Sequence, residues 1–232
     1  MSLALRNLAL CLLAFLFAGP TIAVADQPRP NVVFFLLDDL GWKDLGCYGS
    51  NFYETPNIDE FAKQGVRFTQ AYATCHVCSP TRASILTGKY PARLDMTDWL
   101  SGRRDFPFQQ LLNAEIHQFL PLAEVTIAEA LKEAGYETAH IGKWHLGEEP
   151  HGPTAQGFDL QIPQWNKGWP RRGYHAPFGL DGLEDQSGDY LTDRLTDEAL
   201  DFIESSKDKP FFLYMSHYAV HDPIHGRKDL VE

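Results

Sequence analysis

Positive charge is scarce in this chain: 20 Lys and Arg stand against 31 Asp and Glu in 232 residues, a formal net charge of −11. No basic face is available to neutralise a phosphate backbone, which excludes nucleic acid as a partner. Any anionic ligand must be gripped by a local cationic pocket or by a bound metal. Cysteine is sparse too, four in all. With Cys11 in the N-terminal segment, Cys47, Cys75 and Cys78 remain, an odd number, so in an oxidising compartment at least one thiol is unpaired or modified. Cys75-His76-Val77-Cys78 has the spacing of a redox pair or half a zinc site, but no second pair follows to complete a zinc ribbon. Internal repeats and low-complexity tracts are absent, and no domain boundary is visible.

What is present describes a globular protein, with 44% apolar and 12% aromatic residues against 22% charged. The first 25 residues differ in kind. Arg6 is their one charge, the apolar run extends from Leu8 to Phe17, and Ala23-Val24-Ala25 precedes Asp26. This pattern predicts a cleaved secretory signal over residues 1–25 and a secreted or periplasmic protein, since the run is too short for a stable transmembrane helix. No second run of spanning length follows, so no membrane span is expected after signal cleavage.

Asn31 to Leu37 is a continuous run of β-formers, as expected of a strand covered on both faces, and it ends abruptly in Asp38-Asp39. Glu137 to Ile141 runs in the same way into Gly142-Lys143-Trp144-His145, and Phe211 to Met215 into Ser216-His217. Helical patterns lie between, at Asn57 to Gln64, at Thr126 to Ala134 closed by Gly135, and at Tyr190 to Ser205. This βαβ rhythm predicts an α/β fold with a largely parallel sheet and helices on both faces. Ligands of such sheets bind outside the carboxyl ends of the strands, where Asp38, Asp39, Lys143, His145 and His217 would converge. Residues 150–182, rich in Gly, Pro and Trp, read as a long ordered loop over that edge.

The segment Cys78-Ser79-Pro80-Thr81-Arg82-Ala83-Ser84-Ile85-Leu86-Thr87-Gly88 predicts a short helix with Ser79 as N-cap, Pro80 at the first position and Gly88 just past the end. Cys78 then faces the positive helix end, and Arg82, one turn in, directs a second cation at the same spot. Without further context, a buried small cysteine on an ordinary capped helix is the commoner meaning of such a pattern.

That run resembles the signature of the type I, formylglycine-dependent sulfatases. The similarity extends through Asp38-Asp39, through Tyr53-Glu54-Thr55-Pro56-Asn57-Ile58-Asp59 and Gly65-Val66-Arg67-Phe68, and on to Gly142-Lys143-Trp144-His145-Leu146-Gly147. The resemblance implies an alkaline-phosphatase-like α/β/α sandwich, with residues 26–232 as the N-terminal part of a sulfatase catalytic domain. It implies hydrolysis of sulfuric esters of a sulfated small molecule or carbohydrate, after formylglycine-generating machinery converts Cys78 to 3-oxoalanine. One hydroxyl of the hydrated aldehyde attacks sulfur and the other expels sulfate; a plain thiolate has no internal group to break the adduct it would form.

By the same resemblance Asp38, Asp39 and the oxidised Cys78 would hold Ca²⁺ or Mg²⁺, hard cations suited to carboxylate oxygen. Arg82 would steady the nucleophile and His145 contact its hydroxyls, while Lys143 and His221 would bind sulfate. His217 is the second choice to His221, and His225 is expected at the surface. In an extended segment Lys143 and His145 would share one face. Trp165, Trp169, Arg171 and Arg172 would suit a sulfated sugar. Family members continue with more sheet, an Asp-Asn pair at the metal, a further lysine and a smaller C-terminal domain. No Asp-Asn dipeptide occurs here, so the resemblance implies a fold truncated at the C-terminus, and an inactive anion-binding module is an alternative. A phosphoester or phosphonate hydrolase of the same superfamily is the other, because both oxyanions are tetrahedral.

Overall fold

The computed structural model describes residues 29–231, which fall almost wholly in one compact unit, Asn31–Glu232. The expected signal segment lies outside the described residues. Four strands, β1 (Val32–Leu37), β2 (Glu137–Gly142), β3 (Leu160–Ile162) and β4 (Phe211–His217), form one sheet in the order β1-β4-β2-β3, and every pairing is parallel. The helices are α1 (Pro56–Gln64), α2 (Cys78–Thr87), α3 (Ile127–Glu133) and α4 (Leu191–Ser205). Among the described residues, no helix is long and apolar enough to cross a membrane.

Alternation along β4 divides the interior into two cores. Phe211, Leu213 and Met215 pack with Ala139 and Ile141 of β2 and with Leu191, Leu195, Ala199 and Phe202 of α4. Phe212 and Tyr214 face the other way, against Ala83 and Leu86 of α2, Ala128 of α3, and Trp144 and Phe158. Both faces of β4 are therefore buried, as a continuous apolar strand requires. Each large aliphatic or aromatic side chain fully buried there contributes roughly 1.5–3 kcal/mol.

Two expectations fail. β1 is an edge strand, not one covered on both faces: Val33 and Phe35 are 51% and 57% exposed, while Phe34 stacks on Tyr214. Its sequence is uniformly apolar, but among the described residues only β4 pairs with it. Residues 150–182 are not wholly loop, because they contribute β3, whose Leu160 to Ile162 pair with Ala139 to Ile141. Three residues are too few to give a periodic signal.

Local chemistry sets the helix ends. Thr126 and Glu129 form a reciprocal capping box at the start of α3. At α2 the expected cap is displaced: Val77 precedes the helix and Cys78 is its first residue. Ser79 does not cap it, since its hydroxyl accepts the Leu100 N–H at 3.1 Å. Pro80 is tolerated because first-turn N–H groups have no partner inside the helix. Gly88 takes φ +69° and donates its N–H to the Ser84 carbonyl.

Gly142 ends β2 at φ +112°, and a Cβ there would lie 1.8 Å from the Ser216 carbonyl oxygen. Gly142→Ala is expected to destabilise the fold by about 2–4 kcal/mol through backbone strain and the forced separation of β2 from β4. Thermal unfolding followed by circular dichroism measures this, and an unchanged midpoint would contradict the close approach.

Candidate active site

The carboxyl ends of β1, β2 and β4 deliver Asp38, Lys143 and Ser216 to one place, and α2 points its first turn at them. Asp38 is 8% exposed and Lys143 is fully buried. The Arg82 Nη2 donates to Asp38 Oδ2 at 2.8 Å, and the Lys143 Nζ forms a close ion pair with the same oxygen. Arg82 Nη1 donates to the Lys143 carbonyl at 2.7 Å and to Ser216 Oγ at 2.6 Å. Lys143 Nζ also donates to Cys78 Sγ, at 3.3 Å. Asp38, Asp39, Cys78 and Arg82 line one open cleft of about 310 Å³.

Burial works to raise the Asp38 pKa, but the charges and hydrogen bonds of Arg82 and Lys143 reverse it and hold the carboxyl at about 2. For Lys143, burial and the Arg82 charge pull the pKa down, against the pull of Asp38. Two buried cations, the positive end of a ten-residue helix and one buried carboxylate thus meet at the cleft, Arg82 lining it and Lys143 in contact with its Asp38 and Cys78. The balance favours an oxyanion.

The remaining expected residues divide. His145 is buried, but its φ of +58° breaks the extended alternation that would put it on the face of Lys143. Its Nε2 shares a 2.7 Å hydrogen bond with the Leu100 carbonyl, and among the described residues its Nδ1 has no partner. Burial, then the neighbouring Lys143 charge, lowers its pKa to about 4. Asp39, also at positive φ, turns outward, and its Oδ2 is 3.9 Å from His221 Nε2. His221 therefore meets Asp39. His217 is buried at the end of β4, edge-on to Phe35, with its pKa lowered to about 4 by burial. His225 is exposed.

Among the described residues, no group of three or more His, Cys, Asp or Glu side chains is placed to hold a metal ion. Asp38 and Asp39 supply two hard oxygen donors, short of the six or more a calcium ion takes. Among the described residues the thiols of Cys47, Cys75 and Cys78 form no disulfide, and Cys75 Sγ lies 3.9 Å from its neighbour His76 Nδ1. The loop residues expected to face a sugar mostly pack on one another. Arg171 lies over the Trp165 ring at 5.2 Å, Trp165 Nε1 donates to the Trp169 carbonyl, and Arg172 lies against Gly179. Only Trp169 of these four lines the cleft beside His145.

Sequence reasoning passed over Ser216 and Leu100 as site residues. Ser216 had a signal, a polar residue ending an apolar strand. Leu100 had none, because only its backbone is used.

A family model described as Sulfatase matches residues 30–232. The chain is 35% identical over 250 residues to N-acetylgalactosamine-6-sulfatase of Rattus norvegicus, covering 99% of this chain and 47% of that protein. It is 34% identical to human arylsulfatase A, over 95% of this chain and 46% of that one. Among solved structures, BT4656 in complex with its substrate D-glucosamine-2-N,6-O-disulfate superposes with a TM-score of 0.65 at 36% identity, over 84% of this chain and 35% of that one. The chain thus spans about half the length of the curated relatives it matches.

Removing Asp38 alone leaves Arg82 and Lys143 buried without their counter-charge. Asp38→Asn is expected to cost about 3–5 kcal/mol, read by urea unfolding. The pH dependence has two windows. His145 and His217 have folded pKa values of about 4, below the unfolded value of 6.5, so the unfolded chain binds more protons between the two and stability falls as pH drops from 6.5 to 4. Asp38 adds stability above its unfolded value of 3.8, and this is lost as pH falls toward 2. His140, whose pKa burial lowers to about 3, adds to the histidine window, and flat stability from pH 6.5 to 4 would refute the neutral, buried state of all three histidines.

Proposed function

The chain belongs to the sulfatase family, and on that premise we propose that it hydrolyses sulfuric ester bonds of a sulfated carbohydrate, in a secreted or periplasmic protein, with Cys78 matured to formylglycine. One observation carries this reading: Cys78 occupies the first position of α2 with its sulfur 3.3 Å from the Lys143 ammonium, in a cleft shared with Arg82, Asp38 and Asp39. An ordinary buried cysteine has no need of that company.

The cysteine sulfur marks where a formylglycine hydroxyl would stand, and as the hydrated aldehyde that group would supply both the attack on sulfur and the release of sulfate. A hard divalent cation, when bound, would polarise a sulfate oxygen and offset charge built up in the transition state. Asp38, Asp39 and an oxygen at position 78 are the donors this chain would offer it, and Ca²⁺ or Mg²⁺ suits them.

The other roles belong to the side chains themselves. Lys143 reaches from Asp38 to position 78, so it orients the nucleophile and presents its ammonium to a sulfate oxygen beside it. Arg82 is held by three strand ends and acts as a fixed cation; its preorganised charge costs no rearrangement as the oxyanion develops. His145 is neutral over the physiological range, so it accepts or donates a hydrogen bond without adding charge. Its buried Nδ1, unpartnered among the described residues and lying against Gly168, would be the atom left to hydrogen-bond a hydroxyl of the nucleophile or the departing alcohol. His221, beside Asp39 at the same cleft, would contact sulfate. Trp169, on the cleft next to His145, offers an aromatic face to the sugar. The carbohydrate class draws support from the named relatives, an N-acetylgalactosamine-6-sulfatase and a structure holding a glucosamine disulfate.

Two measurements test the reading. Mass spectrometry of the tryptic peptide 68–82 from the native host is expected to show Cys78 converted from thiol to aldehyde, while Cys75 in the same peptide stays a thiol. Parallel assays on aryl sulfate and aryl phosphate are expected to favour sulfate. An unmodified Cys78 would remove the mechanism, and faster phosphate turnover would move the chain to the phosphoesterase class. Lys143→Ala in the matured protein is expected to lower kcat/KM by about 10²- to 10³-fold, the usual loss of one preorganised oxyanion contact.

A further inference from the structure

Two clefts of about 530 Å³ each lie beyond His145, both within the roughly 300–1,000 Å³ range of small-molecule sites. They share Ser101 and Gln118, so they run on from one another instead of standing apart. The first, next to His145, is walled by Trp99, Trp169 and by Phe119, whose ring stacks on His151 at 3.7 Å. The second continues past Gly102 to Arg103, Asn113 and Glu115.

The inner wall of this groove is fastened to the catalytic cleft at one residue. The Leu100 N–H donates to Ser79 Oγ, next to Cys78, and the Leu100 carbonyl bonds His145. On the opposite side, Gly168 passes so close to the His145 ring that a Cβ there would lie 2.4 Å from it, and the Asn166 carbonyl accepts the His145 N–H at 3.2 Å. The groove is therefore held in register with His145 from two directions.

Its chemistry is that of a sugar site. Partly exposed aromatic faces cover the C–H side of a pyranose, and amides and carboxylates meet its hydroxyls. Its charge speaks against a polyanion: Lys167 is paired with Glu148 and Arg103 with Asp98, which leaves Glu115 and Glu149 in excess. We propose that the two clefts form one groove for an uncharged stretch of oligosaccharide, at least two sugar units long, whose single sulfated unit reaches back toward Lys143. The substrate class is then a sparsely sulfated oligosaccharide, neither a monosaccharide nor a densely sulfated polymer; this rests on the sulfate-ester reading for the Lys143 end only.

Unsulfated mono-, di- and tetrasaccharides built on galactose, glucose and N-acetylhexosamine probe the groove on the whole chain by calorimetry and by tryptophan fluorescence. In at least one series the affinity is expected to rise about tenfold from mono- to disaccharide, with little dependence on salt. Trp169→Ala is expected to weaken every length at least about fivefold, whereas Arg103→Ala and Asn113→Ala reduce only the gain with length. Equal affinity at all lengths in all three series, or tighter Trp169-dependent binding of heparin than of neutral sugars, would overturn the proposal. Inorganic sulfate, titrated separately, keeps the two readings apart. Saccharide binding without sulfate binding removes the sulfate-ester reading and leaves the groove; sulfate binding without a gain in length removes the groove alone.

Discussion

One guanidinium holds three neighbouring strand ends together. Arg82 reaches Asp38 after β1, Ser216 in β4 and the Lys143 carbonyl after β2, in the order in which those strands lie in the sheet. Only a planar fork with several fixed donors can address a carboxylate, a hydroxyl and a carbonyl at once, and a lysine ammonium would satisfy them as a point charge without the geometry. The cost of burying that charge is offset by Asp38, and the site takes its shape from the arrangement. Lys143 is steered onto Asp38 and from there to Cys78, while α2 is pulled down onto the sheet edge with its first turn facing the cleft.

The electrostatics of the cleft follow from this closure. The chain as a whole is acidic, so attraction for an anion exists only where burial concentrates positive charge faster than the surroundings cancel it. Asp38 is the counterweight: it keeps two cations tolerable in the interior, but as one carboxylate it cannot neutralise both cations and the helix end. His145 and His217, forced neutral by burial, add hydrogen-bonding capacity without disturbing that balance.

Much of this was written plainly in the chain. Continuous apolar runs ending in polar residues marked β1 and β4, the passage into Gly142-Lys143-Trp144-His145 marked β2, and the Thr126 and Gly135 pair bracketed α3, because burial and capping both leave strong local patterns. The dense match around Cys78, Arg82 and Lys143 pointed to the residues that do converge. What escaped depends on tertiary context. β3 is only three residues long, and β1 carries a two-faced sequence at a one-faced position. The outward turn of Asp39 and the altered heading of His145 come from single positive φ angles, which a pattern of alternation does not encode. Ser79 looked like a cap because serine usually is one there, and only the arrival of Leu100, 21 residues later, shows that its hydroxyl is engaged elsewhere.

The junction at Leu100 is made of peptide groups, one donating to a serine and one accepting at a histidine. An alanine scan would walk past it, recording the loss of a buried leucine side chain as a packing effect, and would score the position as unimportant to chemistry. Proline, which has no hydrogen to give, would cut the serine tether while keeping the carbonyl. The wall of the groove would then be free to drift from the helix that begins at Cys78, a failure of alignment with every side chain of the cleft still in place.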